Sequence, residues 1–333
     1  MSDNRFLILG GAGMIGAQLA ARIKRAGHPV AVYDNYALSR FSPLTDLETR
    51  VLGHRFDRLL DGVKIHRGDI CDPIKLRAVI RREKPDCIIH LAGSPIVAEA
   101  TKNPTVARHA ILDGTATLLE VLQKRSPVRR LVFASSSMVY GNFETDPVPE
   151  VSATRPINIY GALKLAAETL IMGYCANSDL EPVIVRPSAV YGPGDVHRRV
   201  VQTFCQNALM RAPLRISRSA DLAIDFTHVD DLVEGLWLAA TRPQAAGRIF
   251  NISRGRARTL MELAQIVSQN VGDARIVMED LDINAQIRPK RGSLEIGQAR
   301  TLLGYKPKID LEAGIKATIA ALRDLNAPAF HNV

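Results

Sequence analysis

An apolar run at residues 6–9 breaks directly into Gly10-Gly11-Ala12-Gly13-Met14-Ile15-Gly16, and this junction constrains the chain more than any other segment. Glycines at this spacing permit a tight turn, let the backbone approach a pyrophosphate, and seat the following helix close on a sheet. Amides at that helix's N-terminus then face the phosphates. The flanks give the pattern its weight. Residues 6–9 read as a strand, 14–26 have helical spacing, and 30–33 read as a second strand ending on Asp34. A carboxylate there accepts from ribose hydroxyls and repels a 2′-phosphate, so NAD is the expected cofactor rather than NADP. Gly10, Gly13 and Gly16 are expected to contact it, and Asp69, ending a third strand, to reach toward the adenine.

Further strands are predicted at 63–66, 87–91, 131–134 and 183–185, with helices at 105–123 and 160–174. Strands separated by helix-length segments imply βαβ units, because parallel neighbours need long crossovers. Beyond Arg186 the pattern loosens. Residues 187–195 and 211–225 read as loops, 249–252 as a strand, and 230–240, 260–271, 296–303 and 311–325 as helices. The expected fold is α/β, with a doubly wound parallel sheet in a domain of 1–186 to which the chain returns within 226–252. Residues 187–225 and 253–333 are expected to form a smaller, mixed α/β lobe.

Apolar residues make up 47% of the 333, a globular balance, and the formal charge of +9 favours anionic ligands. The basic clusters are scattered, including His197-Arg198-Arg199 and 254–258, with no aromatic interleaving. They read mostly as solvated surface, not as a nucleic-acid face. No apolar stretch is long enough to span a bilayer, and the start of the chain has no signal-peptide pattern. The cysteines at 71, 87, 175 and 205 lack metal-like spacing, so a reducing, cytoplasmic location and no metal are expected.

Tyr160 and Lys164 lie four residues apart at a helix start, hence on one face. A tyrosine with a pKa of about 10 is a poor base at neutral pH. A neighbouring ammonium and a cationic nicotinamide favour its phenolate, which can then exchange a proton with a substrate hydroxyl during hydride transfer. Ser135-Ser136-Ser137 follow the fifth strand, at the sheet edge where ligands bind.

With these residues placed, the chain resembles the NAD-dependent epimerase/dehydratase family, the extended short-chain dehydrogenases. Its order of motifs is closest to UDP-galactose 4-epimerase-type members. The resemblance runs from the glycine loop through 90–93, 135–141, 160–164, 186–193 and 225–231 to 303–307. It implies a Rossmann domain holding NAD and a lobe covering a nucleoside-diphosphate sugar, in a homodimer. It makes Ser136 the catalytic hydroxyl, Tyr160 the base, and Lys164 the group that lowers its pKa and binds the nicotinamide ribose. Met14, Ile15, Asp34, Asn35, Asp69, Ile70, Leu91, Ala92, Gly93 and Ser188 fall on cofactor-contacting positions. Ser94, Ser136, Tyr160 and Ala189 fall on the substrate side, with Arg288 or Arg291 as a phosphate contact.

Members that dehydrate or decarboxylate carry an acid after the catalytic hydroxyl, whereas this chain has Ser137-Met138. The implied activity is 4-epimerisation of a nucleotide sugar. A net keto-sugar reductase or dehydrogenase, and a non-catalytic dinucleotide sensor, are the alternatives. Several positions depart from the family pattern: Ile111, Leu163, Ala189 and Ile224 stand where an asparagine, a serine, an asparagine and an arginine are expected.

Overall fold

Strands buried on both faces lose their alternation and become short apolar runs. Phe6–Leu9 (β1) and Cys87–His90 (β4) do so here, with every residue buried. In the computed structural model, which describes residues 4–37, 43–93, 96–123, 126–217, 223–279 and 289–326, they lie side by side at the centre of a seven-stranded parallel sheet. Val30–Asp34 (β2) and Lys64–Arg67 (β3) extend it on one side. Arg130–Ala134 (β5) and Glu181–Pro187 (β6) extend it on the other. The chain re-enters the sheet at Arg248–Ile252 (β11), parallel to β6. The strand order β11-β6-β5-β4-β1-β2-β3 reverses direction between β1 and β4, and that crevice is where doubly wound sheets bind ligands.

Helices cover both faces. On one side Met14–Arg25 (α1) and Val229–Thr241 (α9) pack on Ile8, Val32, Val132 and Val185. On the other, Pro73–Glu83 (α3), Gly114–Leu122 (α6) and Ile159–Cys175 (α7) cover Leu7, Ile88, Leu131 and Ile184. A third core joins Val200–Leu209 (α8), Leu260–Val271 (α10) and Leu311–Asn326 (α11), through residues such as Phe204, Leu263 and Ile315.

The segments expected to be loops contain short strands. Val190–Tyr191 (β7) pairs with Thr227–His228 (β10), Leu214–Ser217 (β8) with Ile276–Glu279 (β13), and Ala223–Asp225 (β9) with Ala257–Thr259 (β12). Two to four residues give no readable period, so only their partners define them. The helix expected over 105–123 is interrupted by a π-helical turn at His109–Asp113, between Pro104–Arg108 (α5) and α6. A helix not anticipated, Asp46–His54 (α2), opens with a Thr45–Glu48 capping box and runs into a second π turn, Arg55–Leu59. A third π turn, Ala299–Leu303, stands within the helix expected at 296–303. Among the described residues, no helix is long and apolar enough to cross a membrane.

Candidate active site

A cavity of about 670 Å³ opens over the β1–β4 crevice. Its walls include Gly10, Gly13, Met14, Ile15, Gly16, Asp34, Asn35, Asp69, Ile70, Leu91, Ala92 and Gly93. The glycines there meet different demands. A Cβ on Gly10 would stand 2.6 Å from Ala92 N, and one on Gly16 2.5 Å from Gly11 Cα, so packing of the chain itself forbids a side chain at both. At Gly13 the nearest atom would be Gly10 O at 3.4 Å, so the chain tolerates a Cβ there and the open space is left to a ligand. That cradle suits a pyrophosphate above the N-terminus of α1.

Asp34 ends β2 with Oδ2 accepting from Ala12 N (2.9 Å) and Oδ1 from Tyr36 N (2.7 Å). It therefore ties the glycine loop to the next strand and still presents lone pairs to a ribose diol. Burial pushes its carboxyl up, against those amides and the nearby Arg55. Asp69 accepts from Cys71 N (2.9 Å) and Asn35 Nδ2 (3.0 Å), which with His109 hold it below its ordinary value. Asp69, Cys71 and His109 also bring ligand atoms within 4.8 Å of one another. Burial and Asp69 push the Cys71 thiol up to about 12, the wrong direction for a metal thiolate.

Next to the Gly93 wall of the cavity stands α7. Lys164 Nζ donates to Ala134 O at the end of β5 (2.7 Å) and sits 4.7 Å from the Phe133 ring centroid. A Cβ on Gly93 would lie 3.8 Å from it. Burial lowers Lys164 to about 8, opposed by Glu168 one turn away. Ser136 Oγ accepts from Met138 N (3.2 Å) and stands close enough to Tyr160 to act on its phenol. Burial raises the Tyr160 pKa, whereas Arg199 and Ser136 lower it. Lys164 Nζ is 6.0 Å from the Tyr160 ring centroid, and Arg199 on the cavity wall also acts on the phenol.

Behind these groups, Glu168 receives Arg186 through two nitrogens (2.6 and 3.0 Å) and accepts the Ser135 hydroxyl. Arg186 Nη1 donates on to Tyr140 Oη (3.1 Å), which donates to Asn251 Oδ1 (2.7 Å). One buried carboxylate thus fixes α7 against the ends of β5 and β6.

The segment after β7 crosses the cavity mouth. Gln18 Nε2 donates to Pro193 O (3.1 Å), and Arg55 Nη2 to Gly194 O (2.6 Å). Arg55 also holds the glycine loop, donating from Nη1 to Ala12 O (2.8 Å). Arg198 grips Glu48 through Nε (2.8 Å) and Nη2 (3.1 Å), and His197 and Arg199 line the cavity. Among the basic clusters, Arg199 belongs to the minority that faces the ligand cavity, Arg198 pairs with Glu48, and Arg130 is buried with Nε (2.8 Å) and Nη2 (2.6 Å) on Glu181 Oε2.

Of the substrate-side residues, Ala189 stands at φ +29, a left-handed conformation that asparagine tolerates better than alanine. Arg291 Nη2 donates to Ser188 Oγ (2.7 Å) and Ser137 Oγ (3.3 Å). Burial brings its pKa down to about 10, opposed by Asp225. Ser94 and Arg288 lie outside the described residues. Arg55, His197, Arg199 and Glu168 escaped sequence reasoning as site residues. For Arg199 the only signal was a basic run shortly after the 186–193 motif.

Residues 6–253 match the NAD dependent epimerase/dehydratase family. The chain belongs to that family. It is 30% identical to UDP-glucuronate 4-epimerase 4 of Arabidopsis thaliana over 93% of this chain and 73% of that one. UDP-glucose 4-epimerase of Thermotoga maritima, solved with UDP-glucose, superposes with a TM-score of 0.84 at 25% identity, covering 96% of this chain and 99% of that one. The enzyme of that name from Thermus thermophilus, solved with NAD, gives 0.81 at 26% identity with the same coverage. This family member uses NAD.

Proposed function

We propose that this family member interconverts the C4 epimers of a nucleoside-diphosphate sugar. The observation that carries this reading is the placement of Ser136 beside the Tyr160 phenol, on a turn whose next residues, Ser137 and Met138, carry no carboxylate. Tyr160 accepts the proton of the C4 hydroxyl, and Ser136 holds that oxygen and relays the proton. NAD held in this cavity would supply the hydride acceptor and donor for C4. Arg199 favours the phenolate in the first half of the cycle, and Lys164 anchors the ribose beside Gly93. A dehydratase or decarboxylase needs a further acid or base next to the hydroxyl, and this turn supplies none. Met14, Ile15, Asp34, Asn35, Asp69, Ile70 and 91–93 hold the dinucleotide, and Ser188 borders its nicotinamide end.

In this reading 1–186 with 226–252 form the dinucleotide domain, and 187–225 with 253–333 form the sugar lobe. The protein acts as a homodimer in the cytoplasm. The unpaired state of all four cysteines and the exposed Val106 and Met172 on α5 and α7 are consistent with that. Sedimentation at twice the 36.4 kDa chain mass checks the dimer. The activity is tested by incubating the purified holoprotein with single C4 epimers and following both sugars by NMR. Formation of the other epimer without net NADH is expected. Accumulation of NADH matching an oxidised sugar would overturn the epimerase in favour of a net oxidoreductase.

A further inference from the structure

Beside the catalytic turn stands a half-buried cation whose hydrogen-bonding capacity is largely unused. A guanidinium carries five N–H donors. Arg291 makes its two contacts through Nη2 alone, to Ser188 and Ser137, and its buried Nε has no partner among the described residues. The carboxylate that acts on it, Asp225, directs Oδ2 to Ser253 Oγ (2.8 Å), Gly255 N (3.0 Å) and Leu294 N (3.0 Å). Asp225 Oδ1 is likewise unpartnered, so the two charges balance through space without a bonded pair. A desolvated charge without a bonded counterion is unfavourable, and an anionic ligand relieves it. Both serine hydroxyls accept from Arg291, so each keeps its own proton for another acceptor. Guanidinium and two hydroxyls together form a donor set for an oxyanion.

We propose that Arg291, Ser137 and Ser188 read a carboxylate on the sugar, the C6 group of a hexuronic acid, so that the substrate is a nucleotide uronate. This rests on the 4-epimerase reading, which puts the sugar's C4 oxygen at Ser136 and Tyr160. In a pyranose, C5 with its C6 substituent neighbours C4, whereas the anomeric carbon bearing the diphosphate lies across the ring. Ser137 directly follows Ser136, so a receptor at Ser137 faces a neighbour of C4, and of C3 and C5 only C5 bears a carbon that can carry a carboxylate. A neutral hexose would set a hydroxymethyl group against Arg291 and leave the guanidinium unpaired.

The test is calorimetric binding of UDP-glucuronate and UDP-glucose to the NAD-loaded protein, carrying Tyr160→Phe to suppress turnover. The uronate should bind more tightly by about 10-fold or more, the range for a charged hydrogen-bonded pair. Arg291→Met should erase most of that ratio while retaining NAD, which reports an intact fold. Ser137→Ala should reduce the ratio by less. If Arg291→Met fails to fold, Arg291→Lys and Ser137→Ala carry the test through the same ratio. Equal loss for both sugars would make Arg291 a diphosphate contact and overturn the proposal. No preference for the uronate before substitution would overturn it too. A preference that depends on Arg291, when the protein with Tyr160 intact interconverts neither sugar, would sink the epimerase reading and leave the carboxylate site standing.

Discussion

Tyr160→Phe deletes one oxygen from a ring whose packing against α7's neighbours stays in place. The variant should fold and keep its dinucleotide, and turnover should fall by about 10²- to 10⁴-fold, the contribution of a positioned acid-base group. Bound-nucleotide content and turnover on the epimer pair check both halves. Lys164 yields a pH prediction. Burial brings it down to about 8, and a lysine is charged below its pKa. If the ammonium is what holds the ribose, kcat/KM should fall as pH rises through about 8, and a profile flat well beyond that point would contradict the role. Tyr160 and Lys164 could be read as candidates from a pair spaced four apart on a helix, and the serine run from its place after a strand, with Ser136 chosen within it by the family resemblance. Arg55 and Arg199 could not be read this way. Arg55 reaches Ala12 across 43 residues from a π turn, and no periodicity marks a single long-range side chain.

At the scale of elements, central strands and long helices were readable because burial on both faces imposes apolar runs and packing on one face imposes the helical period. β7, β8 and β9 were missed because strands this short are specified by their partners. The π turns were missed because one extra residue in a helix leaves the apolar spacing nearly intact. Two of them, Arg55–Leu59 and His109–Asp113, supply walls of the dinucleotide cavity. Capping offers a test in the sugar lobe. Thr259 accepts from Glu262 N (3.1 Å) while Glu262 accepts from Thr259 N (2.7 Å), closing a box at the start of α10. Thr259→Ala should destabilise the protein by about 1 kcal/mol, read as a lower urea midpoint with the slope unchanged.

Across the whole molecule, the segment from Pro193 to Arg199 links the sugar side to the dinucleotide side. Gln18, Arg55 and Glu48 fasten it from α1, the π turn and α2, which are remote from it in sequence. His197 and Arg199 of this segment line the dinucleotide cavity, so loosening its tethers should ease dinucleotide exchange. Arg198→Ala should therefore speed NAD release, so that dialysed protein comes to depend on added NAD. Retention equal to the unmodified protein would contradict the link. Glu48 is buried while Arg198 is partly exposed, so the effect should shrink only modestly with salt.

A cofactor fastened in this way behaves as part of the enzyme. In the proposed epimerase cycle the sugar returns the hydride within each turnover, so a cofactor held this way would be insulated from the balance of free NAD and NADH around it.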